Sequence, residues 1–155
     1  MLPILILIVA GIMQLGVLLG GQNALVNGVR EAARFGSVLE TTSVGDANVH
    51  GPAVEAHLRD VLEAGLPGYA AANLTSVTVC YGGYLNPDST DYSVRLTISA
   101  VYSHELFVPI ISQILDGIDG TNDSGLTLSA SERFRVENLA LSSTDLPAPP
   151  GHCAP

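Results

Sequence analysis

Lysine is absent from this chain, and no ionisable side chain occurs before Arg30. Six arginines stand against 15 carboxylates, a formal net charge of −9 at pH 7. A nucleic-acid partner requires a positive surface that displaces counterions from phosphate, so this balance excludes that class. It leaves an acidic surface that keeps copies soluble and mutually repelling, and association between copies is expected to draw its attraction from apolar contacts.

Catalytic patterns are missing as well. His50, His57, His104 and His152 are scattered, with no HExxH, no cysteine beside them and no glycine-rich phosphate loop. No residue set points to an enzyme, a cofactor or a metal centre, and His57 is expected on the surface of a helix. The segment DGIDGTNDSG, with Asp116, Asp119 and Asp123, offers oxygen ligands for calcium but lacks the EF-hand spacing and its closing glutamate. A solvated turn is the plainer reading. Asn73-Leu74-Thr75 and Asn122-Asp123-Ser124 carry the N-glycosylation pattern. There is no internal repeat.

Cysteine is scarce, with only Cys80 and Cys153. In an exported domain the compartment is oxidising, which favours a bridge between them. Such a bridge would tie down the tail SSTDLPAPPGHCAP, whose proline content rules out a helix or a central strand.

What the chain does have is a charge-free run from Met1 to Val29. A helix of about 20 apolar residues crosses the hydrocarbon core of a bilayer, and this run exceeds that by a turn or two. Its strongly apolar residues, Leu2, Ile4 to Val9, Ile12, Leu15 and Val17 to Leu19, contribute roughly −4 to −7 kcal/mol to insertion, of which Gln14 and the glycines offset only part. A soluble-core helix would show a polar stripe, and Leu2 to Ile12 contains no polar side chain. No A-x-A-type cleavage pattern follows the run, so the helix is expected to be retained, with any basic leader removed upstream. Pro3 fits a first helical turn.

The chain is long enough for this helix and one small domain. The first helix is expected from about Leu2 to Leu39 and to end in the turn-prone ETTSVGDAN. A second follows across PAVEAHLRDVLEAG, with Pro52 at its first position, Val54, Leu58, Val61 and Leu62 at helical spacing, and Gly65 and Pro67 stopping it. Three segments then alternate with period two. TSVTVCY places Val77, Val79 and Tyr81 on one face. YSVRLTISAVYS sets Tyr92, Val94, Leu96, Ile98, Ala100 and Tyr102 opposite Ser93, Arg95, Thr97 and Ser99. LTLSASERFRVE sets Leu126, Leu128, Ala130, Phe134 and Val136 opposite Arg133, Arg135 and Glu137. GGYLNPDST is a hairpin-type connection, and HELFVPIISQILDGIDGTNDSG a long crossover with a helical turn or two. The fold expected is α+β, helices on one face of an antiparallel sheet of about three strands. It divides into residues 1–39 as the membrane or filament-core helix, 40–137 as the exported domain and 138–155 as the proline-rich tail.

Two features of the first helix bear on association. Gly16, Gly20, Ala24, Gly28, Ala32 and Gly36 place a small residue at every fourth position, a ridge along which another helix backbone could come close. Arg30, Glu31 and Arg34 follow where the helix leaves its apolar zone, suited either to lipid phosphates and then a neighbouring copy, or to an ordinary solvated face.

The join of LPILILIVAGIMQLGVLL to QNALVNGVREAARFG resembles the TadE-like pseudopilins of tight-adherence pilus systems, and LTLSASERFRVEN is similar to that family's closing strand. The acidic residue that the family carries a few positions before its Leu-Pro pair has no counterpart in this sequence. The resemblance implies a type IV pilin-like subunit, trimmed by a prepilin peptidase, held in the cell membrane and then built by an assembly machinery into a homo-oligomeric helical filament outside the cell, serving adhesion. The alternative is a monomeric, membrane-anchored exported binding domain, which has no need of the small-residue ridge.

Overall fold

A computed structural model describes residues 2–41, 47–85, 92–106, 125–137 and 152–154. Helix α1 spans Leu2–Val38, one residue short of the expected end, and α2 spans Ala47–Gly65. Strands β1 (Leu74–Leu85), β2 (Tyr92–Glu105) and β3 (Gly125–Arg135) follow, and β4 (His152–Ala154) closes the chain. All pairings are antiparallel, in the order β3-β2-β1-β4. The architecture is α+β, as the order of elements implied, with β4 added to the three long strands.

The period-two pattern decides which face of the sheet is covered. Val94, Leu96, Ile98, Ala100 and Tyr102 of β2 are fully buried, and Val79 and Tyr81 of β1 and Leu128 and Val136 from the β3 segment join them in one core. Arg95, Arg133, Arg135 and Glu137 lie exposed on the opposite side. Ser93 departs from the alternation and is buried. In β1 the register with β2 shifts between Leu74 and Ser76. This bulge changes the phase by one residue and lets even-numbered Leu74 share the core with odd-numbered Val79 and Tyr81.

Both helices lie on the covered face, touching each other, with α1 against β3 and β2 and α2 against β1 and β4. Leu25, Val29, Ala32 and Ala33 of α1 and Val54, Leu58 and Leu62 of α2 are fully buried in the same core. The second half of α1 is therefore part of the domain, and packing does not divide the chain at residue 39. A helix leaves its last carbonyls without intrahelical donors. Here the sheet supplies two of them: the Tyr81 hydroxyl donates to the Gly36 carbonyl at 3.2 Å and the Glu137 amide to the Ser37 carbonyl at 3.0 Å.

Helix α2 begins five residues before Pro52, so that proline sits inside the helix and not at its first position. It is exposed there, and its missing N–H forgoes a single bond to the preceding turn. The helix stops at Gly65 as expected. Leu66 to Tyr69 then form a turn in which the Tyr69 amide donates to the Leu66 carbonyl at 3.1 Å, Pro67 holds the second place, and Gly68 takes a φ of 72°. That is the chemistry of a type II turn.

Strands β1 and β2 form the hairpin anticipated between them. Strands β2 and β3 are antiparallel neighbours, so the segment between them joins adjacent strands and is not a crossover. Its expected helical turn, the aspartates Asp116, Asp119 and Asp123, and the Asn122 site lie outside the described residues. Cys80 and Cys153 are cross-strand partners joined by a disulfide, and β4 occupies the sheet edge, the place where a proline-rich tail can pair.

Ile98 has no exposed surface and sits at the centre of the covered face. Ile98→Asp buries an unpaired carboxylate and should cost about 4 kcal/mol or more in urea unfolding followed by circular dichroism. Arg133→Ala, on the exposed face, should stay within about 0.5 kcal/mol of the parent.

Candidate functional site

The first half of α1 leaves the domain with its apolar side chains uncovered. Ile4, Leu5, Ile6, Ile12, Met13, Leu15 and Leu19 are each more than half exposed. From Ile4 onward the first buried side chain along the helix is Gln14, followed by Leu18. Mean hydropathy over the most apolar window reaches 2.4 with only 17% of it buried, the reverse of a soluble-core helix. In water such a surface is far larger than the apolar patches that monomeric soluble proteins expose. Such a surface is suited to lipid or to other apolar helices.

The domain rim meets this helix at Val17 and Gly21. Leu66 and Leu128 approach the Gly21 Cα closely enough that a Cβ there would stand 3.5 and 3.4 Å from their Cδ1 atoms. Beside Val17, the Pro67-Gly68 turn, Asn73, His104 and Glu105 frame a cleft of about 390 Å³. His104 is buried, and its Nε2 has no hydrogen-bond partner among the described residues.

The small-residue ridge divides. Gly16 and Gly20 face open space, with nothing within 4 Å of a Cβ built on either. Gly28 and Gly36 are internal: a Cβ at Gly28 would lie 2.9 Å from Leu62, and one at Gly36 2.6 Å from Leu96 and 2.9 Å from Val54. Ala32 is fully buried and Ala24 packs against the core. The reason is helical geometry. Every fourth residue advances about 40° around the axis, so three steps from Gly16 turn the ridge roughly 120°, from the free side into the domain. The stripe that stays outward steps by three and four: Gly16, Gly20, Asn23, Asn27, Arg30 and Arg34, all exposed. Asn23 and Asn27 belong to this stripe, and alternating steps of three and four from Gly16 would have found them in the sequence.

Of the three charged positions, Glu31 and Arg34 are exposed, while Arg30 donates from Nε to Glu132 of β3 at 2.8 Å. Glu132 has the phase of the covered face, which brings its carboxylate to the helix side of the sheet. Gln22 also reaches β3, donating to the Ser129 carbonyl at 3.0 Å. His57 is half-buried rather than free on the helix surface: its ring stacks on Phe35 with centroids 4.5 Å apart, at the seam between α1 and α2. On α2 itself Arg59 donates to Glu55 from Nε at 3.0 Å and Nη2 at 2.7 Å, and this hydrogen bond holds the guanidinium above its ordinary pKa. No group of three or more potential metal ligands occurs among the described residues.

Residues 1–34 match the family described as TadE-like protein. The matched segment is the apolar end of α1 together with its first turns inside the domain. No curated protein and no solved structure matches the chain.

The divided ridge separates two kinds of glycine. Gly36→Ala forces a methyl group onto Leu96 and Val54 and should destabilise the domain by about 1–3 kcal/mol. Gly20→Ala meets open space and should leave the thermal midpoint unchanged or raise it, because alanine favours the helix by about 1 kcal/mol. Paired thermal melts by circular dichroism check both.

Proposed function

We propose, with the TadE-like N-terminal helix as premise, that this chain is a structural pilin-like subunit, anchored in the membrane by α1 and assembled through that helix into an extracellular filament. The observation that carries the reading is a helix with no charged side chain before Arg30, whose large apolar residues from Ile4 to Met13 are exposed, fused to a domain that packs its core on the second half. A span of about 20 residues takes the bilayer crossing from Leu2 to about Gly21, roughly 30 Å. The domain rim at Leu66, Pro67 and Leu128 then rests on the membrane surface with no spacer.

Leaving lipid for a helix bundle exchanges one apolar environment for another, so hydrophobicity does not drive assembly. Close approach does. Gly16 and Gly20 let a neighbouring backbone near, and Asn23 and Asn27, one and two turns further along, offer amides for hydrogen bonds between helices. Arg34 continues the same stripe, with Glu31 exposed beside it, charges suited to a neighbouring copy, while Arg30 is already committed to Glu132. The partners of this reading are further copies of the chain, a prepilin peptidase and the assembly machinery, and the role of the filament is attachment to surfaces.

Gly20→Leu tests it. The larger side chain has room in the subunit and is favoured in the bilayer, so insertion and folding should persist while sheared extracellular filaments disappear and membrane-held subunit accumulates. Leu15→Ile, which conserves volume and polarity, should assemble normally. A normal filament yield from Gly20→Leu would return α1 to the role of a plain anchor on a monomeric binding domain.

A further inference from the structure

We infer that the cleft where α1 enters the domain binds the headgroup of an aminophospholipid, a phosphate and an ammonium carried by one ligand. This rests on the membrane anchoring proposed above and names the lipid that the anchored subunit selects.

Three parts of the chain build the cleft. Val17 of α1 forms one wall, the Pro67-Gly68 turn another, and Asn73 with the end of β2, His104 and Glu105, the third. Its volume of about 390 Å³ is within the range of small-ligand sites. The walls are held by contacts of their own. The Tyr69 amide closes the turn onto the Leu66 carbonyl at 3.1 Å, the Ala70 amide donates to the Tyr102 hydroxyl at 3.0 Å, and the Tyr69 ring stacks on that of Tyr102 with centroids 5.9 Å apart.

His104 is the residue that points to a ligand. It continues the covered-face phase of β2 beyond Tyr102, is only 6% exposed, and its Nε2 has no hydrogen-bond partner among the described residues. Buried polar groups in folded proteins are almost always paired, so an unpaired imidazole in the wall of a cleft marks a place where a ligand atom completes the hydrogen bonding. Asn73 supplies a second donor: its Nδ2 lies 3.5 Å from Glu105 Oε1, and an amide nitrogen carries two hydrogens, so one remains for a ligand. Glu105 is exposed, and no arginine lines the cleft among the described residues. Neutral donors beside a carboxylate match a zwitterion. The phosphate accepts from His104 and Asn73, and the ammonium donates to Glu105 in a charge-assisted hydrogen bond. A purely anionic headgroup would leave Glu105 without a partner and approach a chain whose net charge is −9.

The depth of the site favours a lipid over a soluble compound with the same headgroup. A crossing of about 20 residues that starts at Leu2 ends near Gly21, so Val17 stands one turn inside, where headgroups meet acyl chains. Met13, Ala10 and Ile6 continue the line of Val17 toward the N-terminus in steps of four and three, which is one side of a helix. These three residues, with Leu5 and Val9, line an apolar groove of about 300 Å³. An acyl chain can lie along that groove while its headgroup fills the cleft.

The test uses the full chain reconstituted in phosphatidylcholine vesicles that contain equal amounts of phosphatidylethanolamine and phosphatidylglycerol. After mild detergent extraction, native mass spectrometry counts the lipids retained. The chain should hold one phosphatidylethanolamine, enriched about tenfold over phosphatidylglycerol, as one charge-assisted hydrogen bond implies. His104→Phe, which keeps a ring without its nitrogens, should lower retention by about tenfold. Glu105→Gln should abolish the preference for phosphatidylethanolamine, and Arg133→Ala on the exposed sheet face should change nothing. Glu105 is exposed, so its variant decides the matter even where His104→Phe fails to fold, and an unchanged thermal melt verifies each variant. Lipids retained in their bulk ratio, or a preference that survives Glu105→Gln, overturn the site while leaving α1 as an anchor. Soluble glycerophosphoethanolamine that displaces the retained lipid at equal concentration overturns the lipid as occupant. A chain released by alkaline extraction from vesicles of every composition removes the anchoring reading itself.

Discussion

Everything in this molecule depends on how closely the second half of α1 can sit between α2 and the sheet. Two glycines set that distance. At Gly28 and Gly36 the backbone lies against Leu62, Leu96 and Val54 with no room for a methyl group. Because the helix axis is that near, the Tyr81 hydroxyl and the Glu137 amide reach carbonyls of the last turn, which would otherwise be buried without donors. Apolar burial holds the helix down, and these bonds fix where along its length it ends.

A helix held in this way is a rigid extension of the domain and not a tether. The apolar first half is continuous with the seated second half, so its direction is set by the core that buries Leu25, Val29, Ala32 and Ala33. Gln22 and Arg30 add polar contacts to β3 at two further levels. In the proposed filament this continuity means that packing one helix against another also places the domains, and a contact between domains can reinforce or oppose the bundle.

The small domain manages its edges economically. Strand β4 is only three residues long, yet it pairs with β1 where a disulfide spanning 73 residues of sequence fastens it. Closing so long a loop constrains the unfolded chain by about 4 kcal/mol in the entropy model. The proline-rich tail can contribute no more than an edge strand, and the covalent link holds that edge in place.

The sequence alone determined the features that depend on local pattern. An uninterrupted apolar run is a helix seeking lipid or its equivalent, period-two alternation orients each strand, Gly65 and Pro67 stop a helix, and two cysteines have one bridge to form within the chain. Tertiary structure decided whatever depends on which side of an element meets a neighbour. A stripe of small residues at every fourth position looks like one ridge in sequence, but it winds around the helix, so Gly16 and Gly20 stay free while Gly28 and Gly36 become core. Arg30 is distant in sequence from Glu132, and only the docking of α1 on β3 makes them a pair. His57 on α2 has the look of a surface residue until α1 brings Phe35 against it. Pro52 marks a helix start by local preference, and a helix with tertiary support tolerates it one turn inside. Local chemistry reports what a segment can form, and the relative placement of segments, which no single window of sequence contains, selects what each surface is for.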